Sequence, residues 1–531
     1  MITNEIIESY LNCKYKAILK LSEKQGCYSD YDHFLKNTKF DKKQQFTKNI
    51  TSKYPNQILD FEKYSKNKIN SYPFWLLNPN VKNEKYSIAF DYFELAKENN
   101  TIVYIPIQIS PYNKIIEIEI LELFIKSKYF ENHLNVKISK GQIIYGIDHK
   151  LTTINLVKYS EKGNSLFKEI EEIPTNDENI QIILNNHCQI CEFQEECRKI
   201  KLEKDDISLL NGISQTEIKS LNKKGVFTIT QLSYLFKPKK RKSYNITNRN
   251  LWSLKSLAIR EHKTFVITKP IFQNLKTTIY IDFEGLPDEN FIYLIGVLII
   301  HDNNEEFKYF WAVDQSDEEN LYSNFFDLIN GFNDFVIYHY GSFEITELKK
   351  LTKKFEGKHY EISKITSKCI NLLSYFRTHV YPATFSNSLK EIAKSLGFKW
   401  TTQNASGINS IIWRKNWEKQ SLLEEKNKII QYNKDDCFAL RIVHLWLISL
   451  SNNDDIKDYI EVDNMPKETQ NKFGNLNSLI DNFNEINECA WFDYQRTKIY
   501  LRTDKNIKNI VEYKEQKVKK KLNVTKQILL D

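Results

Sequence analysis

Three groups of residues in this chain have side chains and spacings suited to chemistry. The first begins with Asp282 and Glu284 in IYIDFEGLPDENFIYLIGVLII, residues 279–300. The run reads as two neighbouring β-branched strands, and residues two apart on a strand share a face. Two carboxylates on one face of an otherwise apolar strand repel each other, so a cation is their natural partner. Two later acids are placed to join them. DFVIYHYGSFEITELKKL reads as a buried strand running into a helix, with Glu344 in the helix's first turn. IIQYNKDDCFALRIVHLWLISL is a long helical pattern carrying Tyr432 and Asp436 at i and i+4, hence on one face. The second group is Cys188, Cys191 and Cys197 in HCQICEFQEECRKI, with C-x2-C-x5-C spacing. Three close thiols need a fourth ligand for a closed tetrahedral site, and Cys13 in YLNCKYKAILKL is the candidate. The third is Asp91 in IAFDYFEL, an acid beside a strand-like run.

These residues need several folded bodies to hold them. A length of 531 residues suggests two to four domains. Hydrophobic residues make up 41% and aromatics 13%, enough for a sizeable core, while 14 Gly and 11 Pro exclude collagen-like and low-complexity classes. The formal net charge of +8 is compatible with a polyanionic partner without requiring one. No apolar run reaches the ~20 residues that span a bilayer. The start reads as an amphipathic helix without a signal-peptide core. The expectation is a soluble cytoplasmic protein, in which eight cysteines are reduced thiols or metal ligands.

Residues 1–200 mix helical and strand patterns and end in the cysteine-rich segment. Residues 201–265 form a helical connector, two short helical patterns broken at Gly212 and Gly225, followed by the basic loop KPKKRK at 237–242. Residues 270–455 run strand, strand, strand, helix, strand, helix, then further helices. The tail, 456–531, is polar and has no assigned role. Its segment WFDYQRTKIYLRT interleaves aromatics with Arg and Lys, which suits base stacking or an edge strand. No internal repeat of fixed period is present.

With D-x-E, a later acid after a strand and Y-x-x-x-D on a helix in that order, residues 277–452 resemble a DEDD-type 3′–5′ exonuclease domain of the ribonuclease H-like fold. Within that superfamily they are similar to the domain of YprB-like proteins that is fused to RecB-like nuclease modules. The resemblance implies four carboxylates holding two divalent cations, Mg²⁺ or Mn²⁺. Position by position these are Asp282, Glu284, Glu344 and Asp436. The histidine class of such enzymes has His five residues before the last Asp, where this chain has Gln431. The tyrosine class has Tyr four before it, matching Tyr432, whose implied role is to orient or deprotonate the attacking water. Glu344 stands where the family usually carries Asp, and Asp435 beside Asp436 competes for the last position. The helix NSLKEIAKSLGF resembles one that these domains place before the last motif, with a structural role.

Cys13 with Cys188, Cys191 and Cys197 resembles the iron–sulfur staple of RecB-like nucleases, which implies a 4Fe–4S cluster; an all-thiolate zinc site is the alternative. Cys27, Cys369, Cys437 and Cys489 read as ordinary thiols. The resemblance also implies a catalytic Asp followed by acid-x-Lys on the next strand. Asp91 meets the first requirement, but the next strand offers Pro106, Ile107 and Gln108. The first domain is therefore expected to be a degenerate restriction-endonuclease-like fold, with Asp91 a leftover or capping residue.

Residues 205–236 resemble a helix-hairpin-helix pair, whose glycines would bring backbone N–H groups to phosphate. The expected fold is thus α/β and multidomain: degenerate nuclease, helix-hairpin-helix-like connector and mixed-sheet RNase H-like exonuclease. The expected partner is DNA or RNA, with no membrane. Two rival readings are a non-catalytic nucleic-acid scaffold and an RNase H-like endonuclease on structured or hybrid substrates.

Overall fold

The computed structural model describes residues 1–63, 73–98, 101–173, 182–238, 251–355, 362–402, 406–451 and 459–465. They form two compact units, Met1–Arg198 with Leu286–Phe291, and Lys199–Gly285 with the chain from Ile292 onward. Cys489, WFDYQRTKIYLRT and most of KPKKRK lie outside the described residues. No helix among those described is long and apolar enough to cross a membrane.

The first unit is built on a six-stranded mixed sheet, in the order Ile58–Asp60, Phe74–Leu77, Tyr92–Glu98, Thr101–Ile109, Lys140–Tyr145, Lys150–Asn155. Tyr92–Glu98 and Thr101–Ile109 pair antiparallel, and Thr101–Ile109 pairs parallel with Lys140–Tyr145. A parallel return needs a crossover, here the helix Glu117–Leu134. Leu123, Phe124 and Phe130 of that helix share one core with Leu76, Phe93, Leu95 and Ile143 of the sheet. The opening stretch, read from sequence as one helix, is two: Asn4–Asn12 and Lys14–Leu21. Cys13 between them is extended, with φ −161° and ψ 116°, which interrupts the helix.

The second unit centres on a five-stranded sheet in the order Asn304–Trp311, Phe291–His301, Thr277–Leu286, Phe335–His339, Cys369–Asn371. The first two strands of that order are antiparallel, joined at Asp302 and Asn303, both at positive φ as a tight two-residue turn requires. Thr277–Leu286 pairs parallel with Phe335–His339, which pairs parallel with Cys369–Asn371. The central strand therefore has partners on both sides and its apolar residues are buried on both faces. On one face Phe283 packs edge-on against Phe325 of the helix Glu318–Asn330. On the other, Tyr280 shares a core with Leu440, Val443 and Leu447 of the long helix Leu423–Ser449. Its phenol pairs with His444 Nδ1 at 2.9 Å.

In the connector, Gly212 at φ +93° and Gly225 at φ +80° make turns that L-residues rarely adopt. The helices that follow, Gln215–Asn222 and Ile229–Ser233, are capped by Ser214 and Thr228, and Asp205 Oδ2 accepts from Thr230 N. These N-terminal donors are thus already engaged by side chains. Lys255 of the helix Trp252–Glu261 is buried and donates to Pro382 O, Thr384 Oγ1 and Asn387 Oδ1 at 2.8–3.1 Å. That fixes the loop leading into the helix Leu389–Ser395.

Candidate active site

Alternation on the central strand places Tyr280, Asp282 and Glu284 on the face covered by Leu423–Ser449. Asp436 on that helix joins them: ligand oxygens of Asp282, Glu284 and Asp436 all lie within 4.8 Å of one another. Glu344, second residue of the helix Phe343–Lys354, is buried just outside this trio. Its Oε2 lies 3.4 Å from His339 Nδ1, and neither atom has a hydrogen-bond partner.

The adjacent acids separate clearly. Asp435 Oδ2 accepts from the backbone N and Oγ1 of Thr401, both at 2.8 Å, and its Oδ1 accepts from Gln431 Nε2 at 2.8 Å. Thr401 thus holds Asp435 to the neighbouring loop, while Gln431, at the histidine-class position, orients it from one turn earlier on the same helix. Asp436 faces Asp282 and Glu284, and the Tyr432 phenol interacts with it.

Each carboxylate of the trio has its own positioning residue, and sequence reading found none of them. Asn433 Nδ2 donates to Asp282 Oδ2 at 2.7 Å and to Asp282 O at 3.0 Å. Asn433 reaches the strand because residue 296 is glycine: a Cβ there would stand 1.7 Å from Asn433 Oδ1. Ser410 donates to Glu284 and pairs with the Tyr293 phenol at 2.6 Å. Ser410 is held by its helix, Gly407–Gln420, whose buried Arg414 donates to Ala312 O at 3.0 Å and to Val313 O. Trp400 Nε1 donates to Asp436 Oδ1 at 2.7 Å. Lys390 sits with its ammonium 4.9 Å from the Tyr432 ring centroid. The helix Leu389–Ser395, expected to be purely structural, therefore also brings a charge to the acids.

Electrostatics report the crowding. Burial, followed by the charges of Asp436, Glu284 and Glu344, pushes the Asp282 carboxyl well above its ordinary range. Burial pushes Glu284 to about 8, against the Ser410 bond and with Asp436 adding to it. Asp436 rises to about 6 by burial, opposed by the Trp400 bond and the Lys390 charge. Tyr432 is raised well above its ordinary value by burial and by the same acids. Converging oxygen donors, with an orphaned buried oxygen on Glu344, fit a hard divalent cation.

Residues 279–448 match the RNase_H superfamily model. The matched segment begins on the central strand and ends in the helix carrying Asp436. The match gives the RNase H-like segment the character of a nucleic-acid-acting hydrolase, and the acidic trio gives it a place for divalent metal. Comparison with curated proteins yields no match to the chain.

In the first unit, Cys13, Cys188, Cys191 and Cys197 line one small cavity with Leu19 and Phe193. Burial raises the Cys191 thiol to about 11 and Cys197 to about 12. Lys16 and Lys20 of Lys14–Leu21 each lie 2.8 Å from the buried Glu192 carboxylate. Burial would raise that carboxyl, but the two lysines outweigh it and hold it at about 2. Gly26 packs against the same side chain, where a Cβ would fall 2.2 Å from Glu192 Cγ. These contacts tie the two ends of the cysteine set together. Zinc at ~2.3 Å would hold its sulfurs about 3.8 Å apart. Among the described residues, no three of these thiols lie within 4.8 Å of one another.

Asp91, just before the strand Tyr92–Glu98, accepts from Ile109 N at 2.9 Å. It also pairs with Lys43 of the helix Asp30–Lys53 at 3.3 Å, so it ties a strand end to a helix. Gln108 is buried, donating to Glu122 at 3.0 Å and accepting from Lys126 at 3.2 Å. Glu122 and Lys126 belong to the crossover helix and went unnoticed in the sequence, where they look like an ordinary i,i+4 pair.

Removing one repelling acid should stabilise the metal-free second unit while destroying its metal site. Asp282→Asn is expected to raise the thermal midpoint without metal by a few degrees, the response to about 1 kcal/mol. It should also abolish the Mn²⁺-induced shift of the native protein. An unchanged or lowered midpoint would contradict the repulsion. Gly296→Ala displaces Asn433 and should weaken Mn²⁺ binding about 10- to 100-fold, the usual effect of losing a group that orients a ligand. Calorimetric titration with MnCl₂ measures it.

Proposed function

We propose that the RNase H-like segment is a metal-dependent 3′–5′ exonuclease of the DEDD type, tyrosine class. The observation that carries this reading is the convergence of Asp282, Glu284 and Asp436 beside Tyr432, with Asp435 turned away. Asp282, Glu284 and Asp436, with Glu344 approaching from its own helix, would hold two divalent cations. Bound there, the cations would polarise the phosphoryl group and supply an ionised water at neutral pH. Asn433, Ser410 and Trp400 fix the carboxylates in place before substrate arrives. Tyr432 would orient or deprotonate the attacking water, and Lys390 offers positive charge to the phosphodiester. Glu344 is one methylene longer than Asp, which lets it reach the cations from outside the trio.

We propose that the cysteine set, which lines one cavity, holds a 4Fe–4S cluster, with an all-thiolate zinc site as the alternative. We read the first unit as a RecB-like nuclease fold whose acid-x-Lys strand is lost. Its remaining role is to bind and position nucleic acid.

Two measurements test these readings. A 5′-labelled single-stranded oligonucleotide with Mn²⁺ should give a 3′–5′ ladder with the native protein and none with Asp282→Ala or Asp436→Ala. Tyr432→Phe should lower kcat by about 10²- to 10⁴-fold. An inactive native protein, or variants that cut equally well, leaves the scaffold reading; cutting of a circular strand makes the enzyme an endonuclease. Anaerobically purified protein should contain four iron atoms per chain and visible charge-transfer absorption, both lost in Cys13→Ala. One zinc and no iron would reverse the assignment.

A further inference from the structure

Residues 382–388, PATFSNS, lead directly into the helix Leu389–Ser395 that carries Lys390. The segment is held from three sides. From the connector, Lys255 donates to Pro382 O, Thr384 Oγ1 and Asn387 Oδ1. Asn211 adds two bonds from the same side, its backbone N to Phe385 O at 3.0 Å and its Nδ2 to Ser386 Oγ at 3.3 Å. From the chain after the strand Phe335–His339, the Tyr340 phenol donates to Asn387 O. From the helix ahead, Glu391 Oε1 accepts from Phe385 N at 2.6 Å. The connector therefore reaches Lys390 through a short, fully gripped stretch of backbone.

The grip of Lys255 depends on its proton count. An ammonium has three N–H donors and fills all three acceptors, none of which is charged. A neutral amine has two donors and leaves one buried acceptor without a partner, which is costly. Burial pushes the ammonium down to about 7, opposed by Glu391. Tyr381 lines the small cavity beside Lys255 with Asn211 and Trp252. The Tyr381 phenol donates to Arg377 O at 2.9 Å, and burial raises it to about 12. On the connector side Glu217 accepts from Trp252 Nε1 at 3.1 Å, and Arg260 pairs with Glu261 on the helix of Lys255 itself. The helix Ile229–Ser233 and the strand Thr264–Val266, packed against that helix, carry no titratable side chain.

We propose that Lys255 is a proton-controlled positioning residue. Charged, it locks segment 382–388 and holds Lys390 toward the phosphodiester; neutral, it drops one anchor and lets that segment shift. The proposal rests on the exonuclease reading, in which Lys390 meets the substrate. The contribution of Lys255 to substrate binding is then full below about pH 7 and declines above it.

Binding tests it without turnover. Fluorescence anisotropy in Ca²⁺ would give Kd for a labelled single-stranded oligonucleotide at about pH 6 and about pH 8.5. The proteins compared are native, Lys255→Met, Lys390→Gln and the double variant; ratios between them cancel the titration of the acids, which all four carry. Lys255→Met should weaken binding about 10-fold at the lower pH, the scale of one charge-assisted hydrogen bond, and about 3-fold at the higher. Added to Lys390→Gln it should cost less than about 2-fold, because its effect runs through Lys390. Thr384→Val leaves two acceptors for the two donors of an amine. It should match the native protein at the higher pH and bind about 3-fold more weakly at the lower, which decides the matter if Lys255→Met does not fold. Factors that are equal at both pH values, or full additivity with Lys390→Gln, overturn the proposal. If the native protein degrades the strand while the factors stay flat, Lys255 is structural and the exonuclease stands. If the pH-dependent factors appear without cleavage, the exonuclease falls and the positioning role stands.

Discussion

Burying carboxylates side by side penalises each ionised form twice, by loss of water and by the neighbouring charge. The second unit is organised around that constraint. Its central strand carries Asp282 and Glu284 into a region enclosed by the long C-terminal helix, and Asp436 arrives on that helix. Each acid then receives a donor from outside the trio: Asn433 for Asp282, Ser410 for Glu284, and Trp400 with Tyr432 for Asp436. These bonds reduce the repulsion without removing it, as the raised Asp282, Glu284 and Asp436 show. The site is held in tension by the scaffold, and a divalent cation would relieve it.

The donors depend on anchors farther out. Arg414, buried among Tyr293, Trp311 and Trp417, fixes the helix that carries Ser410. Lys255 pins the loop before the helix that carries Lys390. The first unit uses the same device around Glu192, whose two lysines tie the N-terminal helix to the cysteine segment. In both units a buried charge with several partners sets the position of chemically active side chains on other elements. Breaking one such partner would leave a buried charge exposed to no water, a larger penalty than the pair's net worth.

The order of strands and helices in the second unit was legible in sequence as far as the helix Phe343–Lys354, where the periodicities are strong. The three-residue strand Cys369–Asn371 is too short to show a period and was read as part of a helical stretch. Asp282 and Glu284 stood out through two-residue alternation, and Tyr432 with Asp436 through helical spacing. Between Asp435 and Asp436 the sequence offered only the spacing from Tyr432, which picks Asp436; the Thr401 bonds that turn Asp435 away come from a distant loop. Asn433, Ser410, Trp400 and Lys390 were missed because their partners are distant in sequence and their types are common. Gly296 did carry a signal: a lone glycine inside FIYLIGVLII marks close approach by another group. The break at Cys13 was hidden because KYKAILKL continues a helical pattern on its far side, and only the extended backbone at Cys13 shows the interruption.

The Gly296–Asn433 contact also bears on how the protein is made. Synthesis proceeds from the N-terminus, and Asn433 and Asp436 enter the chain about 150 residues after the strand they complete. A nascent chain that ends before the helix Leu423–Ser449 holds Asp282 without its anchor and lacks Asp436. The acidic trio is assembled only when the helix Leu423–Ser449 has left the ribosome and docked, so the long reach of one asparagine ties the metal site to a late stage of synthesis.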